Sequence, residues 1–157
     1  MTYAKYVYLY VVLFFCEIGV AGDFTAVVPI HNNGVNTFYV DARLGSLDNT
    51  KFLVDTGSGY VTINAASLRA LQQNGEAVYV KEVKGRLANG ATLIVPVWRL
   101  GQITIGDACV IKNVEAAVFP DTSRQILGLT ALKKAAPFMV SFNPPKLSLS
   151  ACYKLPA

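Results

Sequence analysis

Histidine is almost missing from this chain, with His31 the only one among 157 residues. A zinc site needs several nitrogen or sulfur ligands, and no cluster of cysteines replaces the missing imidazoles. A serine nucleophile with a histidine base would have to recruit His31, which is expected in a surface turn, His31-Asn-Asn-Gly34. Charge is sparse too: 15% of residues are charged and 53% hydrophobic, which excludes disorder as the main state. The net charge of +4 comes from lysines and arginines scattered singly or in pairs such as Lys133–Lys134. No basic run interleaved with aromatics is present, so the reading is a solvated basic surface and no nucleic-acid partner. No glycine-rich strand-to-helix loop offers a phosphate cradle, and no repeat, low-complexity tract or linker divides the chain. One domain with neither metal nor cofactor is expected, large enough to bury a core.

The N-terminus carries what the rest lacks, a long apolar run. Lys5 precedes the stretch Tyr6 to Cys16, Glu17 ends it, and Gly19-Val-Ala-Gly22 supplies small residues before Asp23. Positive start, apolar middle and small-residue end are the order of a secretory signal peptide. Residues 1–22 are therefore expected to be a cleaved signal or a retained membrane anchor spanning 6–21, and the working domain to be 23–157. An anchor would place Glu17 in lipid at a cost of about 3 kcal/mol. Phe15 stands where a lipoprotein signal before Cys16 needs a small residue. The expectation is an exported protein, periplasmic or secreted, or else membrane-attached. Beyond the leader remain Cys109 and Cys152, which can form one disulfide in an oxidising compartment or pack as two buried thiols.

From residue 25 onward the pattern is short β-type runs separated by turn residues, at spacings of roughly 8–12 residues. The runs are Thr25–Ile30, Thr37–Ala42, Lys51–Val54, Tyr60–Ile63, Ala77–Val83, Thr92–Leu100, Gln102–Ile105, Cys109–Phe119, Phe138–Phe142 and Lys146–Ser150. Asn64 can cap a short helix from Ala65 to Gln73, with Gly75 just past its end. A second helix is expected over Leu129–Ala136, closed by Pro137. Many strands and two short helices predict an all-β fold, a closed or sandwiched sheet.

Chemistry concentrates in Phe52-Leu-Val-Asp55-Thr56-Gly57-Ser58. A carboxylate ending an apolar run is followed by a glycine that lets the backbone turn and bring N–H groups to the acid. Thr56 offers a hydroxyl that can tie the loop to a neighbour, and Ser58 one that can bond the acid. The bland alternative is an Asx turn, in which Asp55 bonds the backbone two residues on. Downstream, Arg124-Gln-Ile126-Leu127-Gly128-Leu129 leads an apolar pair and a glycine into the second helix.

Acid motif, intervening glycine-tipped segment Arg86-Leu87-Ala88-Asn89-Gly90-Ala91, and apolar-apolar-Gly together resemble the retropepsin-like aspartic proteases, in particular exported bacterial members. The likeness runs roughly from Phe38 to Leu149. It implies one lobe of an acid-protease barrel, with Asp55 catalytic and Thr56, Gly57 and Ser58 supporting its loop. It further implies a flap built on Leu87, Ala88, Asn89 and Gly90, and a structural crossing at Ile126, Leu127 and Gly128. Ser58 stands where viral members have alanine, and Leu87 where many exported relatives have threonine. The chemistry needs two facing carboxylates, and the chain has one Asp-Thr-Gly loop. Asp23, Asp41, Asp48, Asp107 and Asp121 all lack the following Thr-Gly. The resemblance therefore implies a homodimer cutting protein or peptide substrates, with terminal strands Thr25–Ile30 and Lys146–Ser150 as candidates for the shared sheet. The alternative is a module of the same fold that binds peptides or acts as a scaffold without cutting them.

Overall fold

The computed structural model describes residues 23–87 and 90–153. The expected leader, residues 1–22 with the anchor at 6–21, lies outside the described residues. Among the described residues, no helix is long and apolar enough to cross a membrane.

In chain order the elements are β1 (Ala26–Pro29), β2 (His31–Asn32), β3 (Phe38–Leu44), β4 (Thr50–Val54), β5 (Val61–Asn64) and α1 (Ala65–Gln73). There follow β6 (Ala77–Arg86), β7 (Thr92–Ile105), β8 (Cys109–Phe119), β9 (Ile126–Leu127), α2 (Leu129–Leu132), β10 (Phe138–Phe142) and β11 (Pro145–Leu149). The larger sheet has the order β2-β3-β4-β9-β5-β8-β7-β6, and a further pairing joins β3 to β7. That extra contact, Ala42–Leu44 against Ile105–Ile103, closes six strands into a ring. Closure follows from alternation in β3, where Val40, Ala42 and Leu44 point inward and are buried. They meet Phe52, Ile63, Leu100, Ile103, Ile105 and Leu127 in one core. Each fully buried large side chain in that core contributes about 1.5–3 kcal/mol.

Helix α1 follows its local signals. The Asn64 side chain accepts from the Ser67 N–H at 2.8 Å, Leu68 and Leu71 face the core, and Gly75 takes φ 68° just past the end. Three sequence expectations need correction. Helix α2 stops at Leu132 instead of Ala136. Its last turn tightens into three-residue bonds such as Ala136 N–H to Lys133 O, while the Ala135 carbonyl accepts from Ser150 and Ala151. The two runs around Gly101 form one strand, β7, because Gly101 stays extended and donates to Glu76 O at 3.0 Å. His31 is not in the turn but in β2, paired with Tyr39 and exposed, its Nε2 3.6 Å from Asp41.

The smaller sheet has the order β1-β11-β10. β11 therefore has both edges occupied within the chain, by Ala26–Pro29 on one side and Phe138–Phe142 on the other. The terminal run Lys146–Ser150 is thus a central strand, and among the described residues the open edges belong to β1 and β10. Cys109 and Cys152 form a disulfide with Cα atoms 4.9 Å apart. It fastens the chain end to β8 beside the bridge between Val110 and Tyr153.

Candidate active site

β4 runs parallel to β9, Leu53 opposite Ile126 and Val54 opposite Leu127. This pairing delivers Asp55 to the strand end, where its N–H donates to Leu127 O at 3.2 Å. The chain then turns sharply, and the Gly57 N–H donates to the Asp55 carboxylate Oδ1 at 2.8 Å. The Ser58 N–H closes the turn on the Asp55 carbonyl at 3.3 Å. Locally this is the Asx-type turn, and it holds the carboxylate half-exposed at the surface of the barrel. Thr56 beside it is exposed.

Ser58 departs from expectation. Its hydroxyl donates to Tyr60 O at 2.8 Å and not to the acid. The turn has already directed a backbone N–H at the carboxylate, and Ser58 spans the next bend instead.

Gly128 locks this loop from below. A Cβ built there would lie 2.1 Å from Tyr60 O and 2.9 Å from Ser58 O. Only a residue without a side chain lets the two backbones approach so closely. Leu129 N–H then donates to Ser58 O at 2.9 Å. Thr130, which sequence reasoning passed over, completes the clamp. Its hydroxyl accepts from Val61 N–H at 2.8 Å and donates to Glu115 O at 2.6 Å. The only sequence sign was its place two residues beyond the glycine. Tyr60 is tied in as well, since Lys81 lies 5.9 Å from its ring and 3.6 Å from Glu115. A hydrogen bond with Tyr60, then the charge of Glu115, holds the Lys81 ammonium above its ordinary value of 10.5.

The β6–β7 hairpin reaches toward this loop, its register running to Arg86 opposite Thr92. Beyond it Leu87 N–H bonds Ala91 O at 2.8 Å and Gly90 adopts φ 84°. Ala88 and Asn89, named with Leu87 and Gly90 for the flap, lie outside the described residues. Asp55 opens on two grooves. One, about 510 Å³, lies toward β3 and β10, with Phe38, Thr56, Val140 and Phe142 in its wall. The other, about 740 Å³, lies toward the hairpin, with Leu87, Phe119 and Ile126 in its wall. Arg86 and Arg124 line this second groove and were not singled out for a role from sequence, although each adjoins a motif that was. Among the described residues no group of three or more His, Cys, Asp or Glu is placed to hold a metal.

A sequence model of the family described as "gag-polyprotein putative aspartyl protease" matches residues 40–134. Among solved structures, the chain is similar to a retropepsin-like aspartic protease from Rickettsia conorii, with TM-score 0.56 and 22% identity. That match covers 79% of this chain and 88% of the other, and at this identity it speaks to the fold alone. A search of curated proteins finds no match.

Proposed function

The chain belongs to the gag-polyprotein aspartyl protease family, which is retropepsin-like, and from that premise we propose an exported endopeptidase active as a homodimer. The observation that carries the reading is the Asp55 loop. A half-exposed carboxylate, held by the Gly57 N–H at 2.8 Å, opens on a groove beneath a hairpin.

In this reading Asp55 of one subunit faces Asp55 of the other across a twofold axis. Two carboxylates about 3 Å apart resist ionising together and share a proton. The ionised one takes a proton from a water as the water oxygen bonds the peptide carbonyl carbon. The protonated one gives its proton to the carbonyl oxygen. Collapse of the resulting diol expels the amine, which leaves with a proton from the pair. The exposed Thr56 is available to bond across the axis. The open edge of β10, whose Val140 and Phe142 share a groove with Asp55, is available for the subunit contact. Export rests on the leader pattern, and the Cys109–Cys152 bond is consistent with an oxidising compartment.

The test compares residues 23–157 with the Asp55→Asn variant on an unfolded protein substrate from about pH 3.5 to 7, the span where paired carboxylates titrate. Cleavage by the wild type alone, fading as pH rises, is the expected result. If neither protein cuts and both sediment as monomers, the chain is a peptide-binding or scaffold module instead.

A further inference from the structure

The groove on the hairpin side of Asp55 has an unusual charge balance. Among the described residues its wall contains two arginines, Arg86 at the end of β6 and Arg124 just before β9, and Asp55 as its sole acid. Other cations nearby are already engaged. Arg69 holds Asp121 at 2.9 Å, and Lys81 and Arg99 both face Glu115. Among the described residues no carboxylate pairs with Arg86 or Arg124, and both side chains are exposed to the groove and solvent. An arginine presents a planar fork of donors that matches a carboxylate in geometry and charge.

We propose that Arg86 and Arg124 are specificity-determining residues that select substrates carrying an aspartate or glutamate close to the scissile bond. This rests on the reading of Asp55 as the cleavage centre. Asp55, Arg86 and Arg124 line one groove of about 740 Å³, and an extended peptide advances about 3.3 Å per residue. A peptide reacting at Asp55 therefore places side chains two or three residues from the cut within reach of one or both guanidiniums. The apolar wall from Leu87, Phe119 and Ile126 takes the residues at the cut itself, and the arginines take an acid beyond it. In a twofold dimer the same pair recurs on the other side, so acids are favoured on both flanks.

The preference is electrostatic and has a pH sign. A substrate glutamate titrates near an ordinary value of about 4.3, whereas the guanidiniums stay charged. Selection is present above that range and disappears below it. The groups facing the substrate acid are Arg86, Arg124 and Asp55 itself.

The experiment uses synthetic decapeptides with a Leu-Phe centre and Glu or Gln at each of the three positions on either side. With wild type at pH 5.5 and low salt, the best Glu peptide should exceed its Gln twin in kcat/KM about tenfold, roughly threefold per arginine. The ratio should fall toward one at pH 3.5 and again as salt rises from 50 to 500 mM. Arg124→Gln and Arg86→Gln should each lose roughly threefold on the Glu peptide with little change on the Gln twin. Arg124→Glu should turn the preference toward Lys peptides. Both positions are exposed, so unchanged melting is expected and is checked alongside.

If Glu and Gln peptides are cut equally, the specificity is refuted while the protease reading stands. If nothing is cut, the protease reading fails. The preference is then judged by fluorescence anisotropy of labelled Glu and Gln peptides on the Asp55→Asn variant. Equal binding there overturns it.

Discussion

Gly128→Ala is the sharpest probe of how the site is assembled. The added Cβ would lie 2.1 Å from the Tyr60 carbonyl oxygen and 2.6 Å from its carbon. Both are backbone atoms, so no side chain can swing aside. Gly128 itself has φ −98° and ψ −174°, extended values that alanine also adopts, so the penalty is steric and not conformational. Relief requires separating residues 58–60 from 128–130. That movement weakens the bonds from Leu129 N–H to Ser58 O and from Val61 N–H to Thr130 Oγ1. Overpacking of this kind costs about 1–3 kcal/mol, and the two weakened, not broken, hydrogen bonds together add about 1 kcal/mol. A total of about 3 kcal/mol lowers Tm by about 10 °C for a domain of this size. The control lies in the same loop. Among the described residues nothing lies within 4 Å of a Cβ built at Gly59, which has no positive φ, so Gly59→Ala should leave Tm nearly unchanged. Thermal melts by circular dichroism on both variants, with peptide cleavage measured below the melting range, separate the two cases. Equal Tm values for the pair would refute the claim that backbone contact at Gly128 holds the Asp55 loop.

Other expectations follow from the same geometry. Thr130→Val keeps the shape but strands the Val61 N–H and the Glu115 carbonyl, and should cost about 2 kcal/mol in urea unfolding. An unchanged urea midpoint would mean the hydroxyl carries no part of the clamp. The Cys109–Cys152 bond closes a separation of 43 residues, so Cys152→Ser or reduction should lose about 4 kcal/mol. Oxidised and reduced protein melting together would contradict this. Lys81 is held above 10.5 by Tyr60 and Glu115, so its contribution is complete below that pH and is lost as pH rises through the higher folded value. The Tm gap between wild type and Lys81→Met should therefore be steady from pH 7 to 10 and narrow above it. A gap that narrows already near pH 9 would show the sign to be wrong.

What the linear sequence determined is local. Helix α1 was legible because its cap, Asn64, and its αL terminator, Gly75, act within a few residues of the turns they finish. Strand β8, Cys109–Phe119, was legible as a long β-type run, and the Asp55 turn as a glycine two residues past a carboxylate. The tertiary structure decided whatever depends on which segments meet. Gly101 reads as a break, yet β7 passes straight through it because the backbone at Glu76 takes its N–H. Helix α2 reads as two turns, yet beside Ser150 and Ala151 its second turn tightens into bonds such as Lys134 N–H to Ala131 O and Ala136 N–H to Lys133 O, and the α-helix ends early. Lys146–Ser150 reads as a terminal strand for a shared sheet, yet β11 has both its edges taken within the chain, by β1 and β10. The spacing of Cys109 and Cys152 left both pairing and burial open until β8 and the chain end came side by side. Arg86 and Arg124 are 38 residues apart in sequence and share a groove only because the β6–β7 hairpin reaches over the loop before β9. Capping and turn formation need only neighbouring atoms. Strand order, cross-links and a charged cleft require contacts between distant segments, and these arise when apolar burial closes the barrel.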